Sequence, residues 1–185
     1  MYDVLVVGSG PGAAAAYGLA QLGQHVLMLD KQAFPRNKTC GDGLTPRAQA
    51  QLATMGIVPH TLAASHCTTQ VAVVAPNGAQ VHMPLPSLAP WPSSIVMVPR
   101  LILDAAIRDR AIAAGVETRQ VRVDAVHSDA DRVSVSGDAA GSTFTARARM
   151  AILATGAHIS LLQHAQVRWP SPMALAARTY VDQLD

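Results

Sequence analysis

Apolar residues open the chain in short unbroken runs and later alternate with polar ones, and the two patterns predict different elements. Tyr2-Asp3-Val4-Leu5-Val6-Val7 is a β-branched run suited to a strand buried on both faces. Ala14 to Leu22 supplies strong helix formers stopped by Gly23, and His25 to Leu29 is a second apolar run ending on Asp30. Thr45-Pro46 pairs an N-cap with a proline at the first helical position, predicting a helix through about Met55 that Gly56 ends. From Val71 the period becomes two. Val71–Ala75 and Ala79–Met83 flank Pro76-Asn77-Gly78 as a hairpin, Leu85–Pro92 is irregular, and Ile95–Val98 is a short strand.

Leu101 to Ala114 is amphipathic, with Leu101, Leu103, Ala105, Ile107 and Ile112 on its apolar side and Arg108, Asp109 and Arg110 on its wet one. Val116–Val126, Val133–Ser136 and Thr143–Arg147 predict a small antiparallel excursion. Met150 to Ala154 then returns as a separate buried strand running into Thr155-Gly156-Ala157. In an open parallel sheet its carboxyl end should reach the crevice beside Gly8. Met173–Val181 reads as one more strand.

The turn between the first two elements carries candidate chemistry. Gly8-Ser9-Gly10-Pro11-Gly12-Ala13 fits G-x-G-x-x-G/A, and Asp30 follows Gly8 by 22 residues. Gly8 permits the tight turn, Gly10 lacks the Cβ that would hold a pyrophosphate off the backbone, and Ala13 lets the helix lie close on the strand. The helix N-terminus offers N–H groups and a positive dipole end to phosphates, and Asp30 offers acceptors to a ribose. Strand, turn, helix, strand and acid in this order predict an α/β fold, a Rossmann-type parallel sheet with helices, that binds a dinucleotide. The alternative is a glycine-rich βα turn that binds nothing.

Composition narrows the classes. A chain of 185 residues, half hydrophobic and 14% charged, can bury one good core with a small appendage. A net charge of +2 with 4% aromatic residues gives no case for nucleic-acid binding. No apolar run approaches ~18 residues, so no membrane span is predicted, and with no basic leader ahead of the first strand a cytoplasmic protein is expected. Cys40 and Cys67 form neither a disulfide scaffold nor a metal pair, and the seven histidines are dispersed, so no metal is expected. Met28, Met55, Met97 and Met150 read as core filler, and Trp91 and Trp169 as loop aromatics.

Adding Lys38-Thr39-Cys40-Gly41-Asp42-Gly43-Leu44-Thr45-Pro46-Arg47, Val98-Pro99-Arg100 with Leu103-Asp104, and Ala154-Thr155-Gly156-Ala157, the chain resembles the geranylgeranyl reductase family of FAD-dependent oxidoreductases. The likeness is to bacterial members that reduce isoprenoid and menaquinone side chains. It covers nearly the whole chain, and the cysteine–glycine loop is its specific part. The resemblance implies FAD, bound by Gly8, Gly10, Pro11, Gly12, Ala13, Asp30, Lys31, Gly41, Arg100, Thr155 and Gly156, and reduction of carbon–carbon double bonds in an isoprenoid lipid. It implies Cys40 as the catalytic group near flavin and substrate; Arg36 and Lys38, nearby in sequence, are expected to lower its pKa and to attract a diphosphate or anionic lipid head, and the alternative is a small residue filling space between glycines.

Two departures stand out. Thr155 replaces an acid found in many relatives. Gly137-Asp138-Ala139-Ala140-Gly141 spells the family's Gly-Asp segment, but ahead of the Ala154-Thr155-Gly156 strand, where it reads as a hairpin turn. The genuine segment is expected beyond Asp185. The resemblance therefore implies an FAD-binding domain over 1–168, with 68–98 contributing to a substrate-side sheet, and 169–185 opening an incomplete substrate domain. Peripheral contact with a membrane surface and a second chain completing that domain are compatible with it. Two other readings stay open: a flavin monooxygenase or halogenase on the same scaffold, and an FAD-binding half-protein with no activity of its own.

Overall fold

A computed structural model describes residues 1–87, 89–156, 160–164 and 176–181. In chain order the elements are β1 (Tyr2–Val7), α1 (Pro11–Gln21), β2 (Val26–Asp30), β3 (Gly43–Leu44), α2 (Pro46–Thr54), β4 (His66–Thr68), β5 (Gln70–Val74), β6 (Gln80–Pro84) and β7 (Ile95–Met97). They continue with α3 (Arg100–Ala113), β8 (Glu117–Gln120), β9 (Arg122–Ser128), β10 (Val133–Ala139), β11 (Ser142–Leu153) and α4 (Ser160–His164). The fold is α/β, as predicted. Its described residues divide into two compact units, Met1–Arg36 with Asp104–Ala177, and Asn37–Leu103 with the residues from Arg178 onward.

In the first unit one sheet runs β8-β2-β1-β11-β10-β9 among the described residues. Its first four strands are parallel neighbours, and β11, β10 and β9 form an antiparallel meander. Leu5, Val7, Leu27 and Leu29 from the parallel strands join Val121, Val123, Val126, Val135, Ala146 and Ala148 from the meander in one buried cluster, with Leu161 of α4. The meander therefore lies over one face of the parallel strands. Alternation sends Val4, Val6, Val26 and Met28 to the other face, where α1 sits above Val6. Helix α1 begins at Pro11 rather than Ala14, because the fixed φ of proline suits the first helical position.

Four sequence expectations change here. Val116–Val126 was expected wholly within the antiparallel excursion, but β8 pairs in parallel with β2, Leu27 opposite Glu117 through Asp30 opposite Gln120. Thr143–Arg147 and Met150–Ala154 are one strand rather than two. No glycine or proline interrupts the alternation at Ala148, so β11 pairs with β10 through its first half and with β1 through its second. In α3 the buried positions are Leu103, Asp104, Ile107 and Ala111, while Leu101 and Ile112 face outward. Met150 is also exposed, unlike Met28 and Met55. The Gly137–Gly141 segment is a hairpin as read: Ala140 and Gly141 both take positive φ, and Asp138 Oδ1 accepts from Gly141 N.

The second unit contains the three-stranded antiparallel sheet β3-β7-β4 and the two-stranded ribbon β5-β6, the expected hairpin. Thr45 caps α2, its Oγ1 accepting from Ala48 N. Buried Gln49 on α2 donates through Nε2 to the carbonyls of Leu44 and Ser94, joining helix, β3 and the approach to β7. The ribbon exposes Val73, Val74, Val81 and Met83. Residues 176–181 have no regular structure, so the expected strand is not formed there; its first residues, like Ala157 and Trp169, lie outside the described set. No described helix is long and apolar enough to cross a membrane.

Asp104, with a fully buried side chain, lies 3.2 Å from Arg36 Nη1, and Arg36 stacks on Phe34 with Arg108 over the same ring. A buried carboxylate deprived of a cation is costly. Arg36→Met is expected to destabilise the protein by about 3 kcal/mol in urea unfolding, more than the few tenths expected from an exposed arginine such as Arg122→Met.

Candidate functional site

Strand β1 ends in a turn that only glycine can make. Gly8 takes φ +101°, and a Cβ there would collide with the Ala154 carbonyl at the end of β11. Gly8 N donates to Leu29 O at 2.7 Å and Ala154 N to Val7 O at 2.8 Å, so the carboxyl ends of β2, β1 and β11 meet at this turn. The expectation that the Ala154-Thr155-Gly156 strand returns beside Gly8 is met by the backbone itself. Close packing of helix on strand falls at Gly12, where a Cβ would stand 2.8 Å from Val6 Cγ1 and 3.0 Å from Ala154 Cβ. Ala13 and Ala16 are fully buried.

The turn presents backbone rather than side chains. Gly10 is the N-cap of α1, no side chain caps that helix, Pro11 occupies the first turn, and no acid stands there. At the end of β2, Asp30 Oδ2 accepts from Ser9 N at 2.7 Å and Oδ1 from Gln32 N at 2.9 Å. These bonds fix the carboxylate beside the turn, and each oxygen retains lone-pair capacity for a second donor. Lys31 follows, its carbonyl accepting from Gln120 Nε2 at 3.3 Å, and Gly156 turns the chain after β11 at φ +65°.

The second unit holds a separate cluster around Cys40. Arg100 Nη1 donates to Cys40 Sγ at 3.3 Å. Burial raises the thiol's pKa most strongly of any single influence, yet the Asp42 backbone N–H and the Arg100 guanidinium together outweigh it, leaving the pKa below that of a free cysteine. Asp42 is itself buried, in the left-handed region at φ +59°. Its Oδ2 accepts from Arg178 Nη1 and from the Tyr180 hydroxyl, both at 2.7 Å.

The profile of the FAD binding domain family matches residues 1–183. The chain belongs to that family. It is 38% identical over 169 residues to a menaquinone reductase of Mycobacterium tuberculosis, covering 90% of this chain and 40% of the reductase. A digeranylgeranylglycerophospholipid reductase of Methanothermobacter thermautotrophicus is 29% identical over 158 residues, 83% of this chain and 38% of that protein. Among solved structures, the flavin-dependent brominase Bmp2 superposes with a TM-score of 0.76 at 25% identity, covering 89% of this chain and 40% of that one. The chain thus spans about two fifths of the length of these relatives.

The cofactor of this FAD-binding domain is FAD, and the turn suits it. The protein leaves no room for side chains at Gly8 and Gly12, offers uncapped backbone at the start of α1, and fixes an acid beside the turn. Of the residues expected at the cofactor, Gly8, Gly10, Pro11, Gly12, Ala13, Asp30, Lys31, Thr155 and Gly156 all lie in or next to the junction of these strand ends. Cys40, Gly41 and Arg100 belong to the second unit. Among the described residues, none beyond its two chain neighbours comes within 4 Å of where a Cβ on Gly41 would stand.

The cations expected to act on Cys40 need correcting. Arg36 is engaged with Asp104 and Phe34, and Lys38 supplies a backbone carbonyl to Arg178 Nη2; neither acts on the thiol, and Arg100 does. Sequence reasoning missed Asp42, Arg178 and Tyr180 as members of the cluster. Asp-Gly at 42–43 was a signal for the first, since aspartate tolerates the left-handed conformation. Nothing local marks the other two, which lie more than 130 residues away in sequence.

Gly8→Ala is expected to lower FAD affinity at least about tenfold, a loss of about 1.4 kcal/mol or more, read by fluorescence titration of the apoprotein. Gly18→Ala, within α1 and with open space at its Cβ, should leave fold and affinity intact and serves as the control. Arg100→Gln is expected to move the pH midpoint of Cys40 alkylation upward. Thiolate is the reacting form, so removing a group that favours it shifts reactivity to higher pH.

Proposed function

We propose that this chain is the FAD-binding portion of a flavoprotein that reduces carbon–carbon double bonds in an isoprenoid chain. The observation that carries the reading is the Cys40 thiol of the Lys38–Leu44 segment accepting from Arg100 Nη1 at 3.3 Å, with its pKa lowered by the Asp42 N–H and that guanidinium. The similarity to a menaquinone reductase over 90% of the chain supports an isoprenoid substrate, as does the similarity to a geranylgeranyl lipid reductase.

Gly8, Gly10, Pro11, Gly12 and Ala13 would face the cofactor's pyrophosphate, and Asp30 its ribose. Thr155 and Gly156 would border it from the end of β11, with Lys31 at the end of β2. When bound, FAD supplies the two-electron couple. Saturating an alkene also needs a proton for the second carbon, and Cys40 is the group assigned to deliver it. A proton donor works best with a pKa near the working pH, and the lowered pKa brings this thiol towards neutrality. Arg100 stabilises the thiolate left behind, and solvent returns the proton. The reaction itself is assigned to a protein of the relatives' length, the substrate domain continuing from 169–185.

The test uses protein reduced chemically under anaerobic conditions and mixed with a menaquinone carrying an unsaturated side chain, the product being read by mass spectrometry. Gain of two hydrogens per side-chain double bond is the expected result. Cys40→Ser should retain FAD and lose most of that product; undiminished product would remove Cys40 from the mechanism. The likeness to a brominase favours a second reading, oxygen-dependent chemistry on an aromatic substrate. Substrate-coupled oxygen consumption, without saturation of the isoprenoid, would replace the first reading with the second.

A further inference from the structure

We infer that Arg178 and Tyr180 are positioning residues, a latch that holds the loop from Lys38 to Asp42 closed around Cys40 and so fixes the state of its thiol. Arg178 reaches both ends of that loop, Nη2 donating to Lys38 O at 2.9 Å and Nη1 to Asp42 Oδ2 at 2.7 Å. Cys40 is midway between the two anchor points. Tyr180 adds a 2.7 Å bond to the same Asp42 oxygen, and its ring lies 4.1 Å beneath the Arg178 guanidinium, so the two latch residues also hold each other.

Asp42 transmits the constraint. Its carbonyl accepts from Val98 N at 3.0 Å, its N–H favours the Cys40 thiolate, and its carboxylate is pulled towards Arg178 and Tyr180. All this is arranged around a left-handed backbone that an L-residue adopts only at some cost. Among the described residues Asp42 Oδ1 has no hydrogen-bond partner, so the buried charge is compensated through Oδ2 alone. Removal of Arg178 would leave that carboxylate without its cation and release its hold on the Asp42 turn, withdrawing the Asp42 N–H from the still-buried sulfur. The planar fork of arginine meets the two acceptors from two separate nitrogens, whereas a lysine would have to serve both from one.

The functional importance of the latch rests on the proposed role of Cys40, whereas its existence does not, and the experiment separates the two. In the 185-residue chain carrying Cys67→Ser, Cys40 is the only thiol, and its iodoacetamide reaction rate is followed against pH. Arg178→Lys should raise the midpoint by about one pH unit despite preserving charge. Tyr180→Phe, which keeps the stacked ring and is expected to fold normally, should raise it by less. An unchanged or lowered midpoint in Tyr180→Phe overturns the latch, as does full retention of the parent midpoint in Arg178→Lys. Shifted midpoints in a protein whose relatives-length form saturates no isoprenoid would uphold the latch and sink the reductase reading.

Discussion

The Ala154 carbonyl stands where a side chain on residue 8 would have to go, and the first unit is built around that close approach. It requires β1 and β11 to end side by side in parallel, which the register from Tyr2–Ala148 to Val7–Leu153 provides. With the backbones this near, the chain leaving β1 turns at once, and α1 starts within four residues. Gly12 brings the helix down on Val6 for the same steric reason, and Asp30 ties the turn from the other flank through Ser9 N. The outcome is a rigid rim of backbone groups at the carboxyl ends of three strands, the place where open α/β sheets hold their ligands.

That approach also explains β11. A strand that must deliver its last residues beside β1, and whose first residues pair with β10, spans twelve residues without interruption. Period-two patterning showed both halves and hid their continuity, because the inward residues are small, Ala146 and Ala148, and look like a weakening of the strand. The parallel strands were legible because they are buried on both faces and spelled in unbroken apolar residues. The partner of β8 was not legible: Glu117-Thr118-Arg119-Gln120 at a sheet edge has no apolar run to distinguish parallel from antiparallel pairing.

The candidate site divides along similar lines. Its backbone half follows from glycine positions, which sequence displays directly. Its side-chain half depends on pairings across the chain, which sequence does not display. Arg36 and Lys38 were the cations expected at Cys40 by proximity, and Arg100 was expected at the cofactor; the fold assigns Arg36 to Asp104 and Arg100 to the thiol. Proximity in sequence misled because the guanidinium that reaches the sulfur comes from Arg100, 60 residues further along the chain. Arg108 was rightly placed off the buried stripe of α3, yet it is half-buried, lying over the Phe34 ring and donating to Thr118.

The Cys40 cluster balances opposed effects. Burial favours the neutral thiol, which keeps a proton available, while the Arg100 guanidinium and the Asp42 N–H favour the thiolate, which makes that proton easy to give up. Burial alone would leave a weak acid, and the cation alone in water would be screened and weakly coupled to the sulfur. In the proposed role of proton donor Cys40 would need both forms within reach, and here each influence limits the other. The Asp42 N–H supplies the part of the balance that adds no charge, and its aim depends on where the Asp42 carboxylate is held. The acidity of a residue early in the chain is in this way set by side chains near residue 180, through one backbone turn.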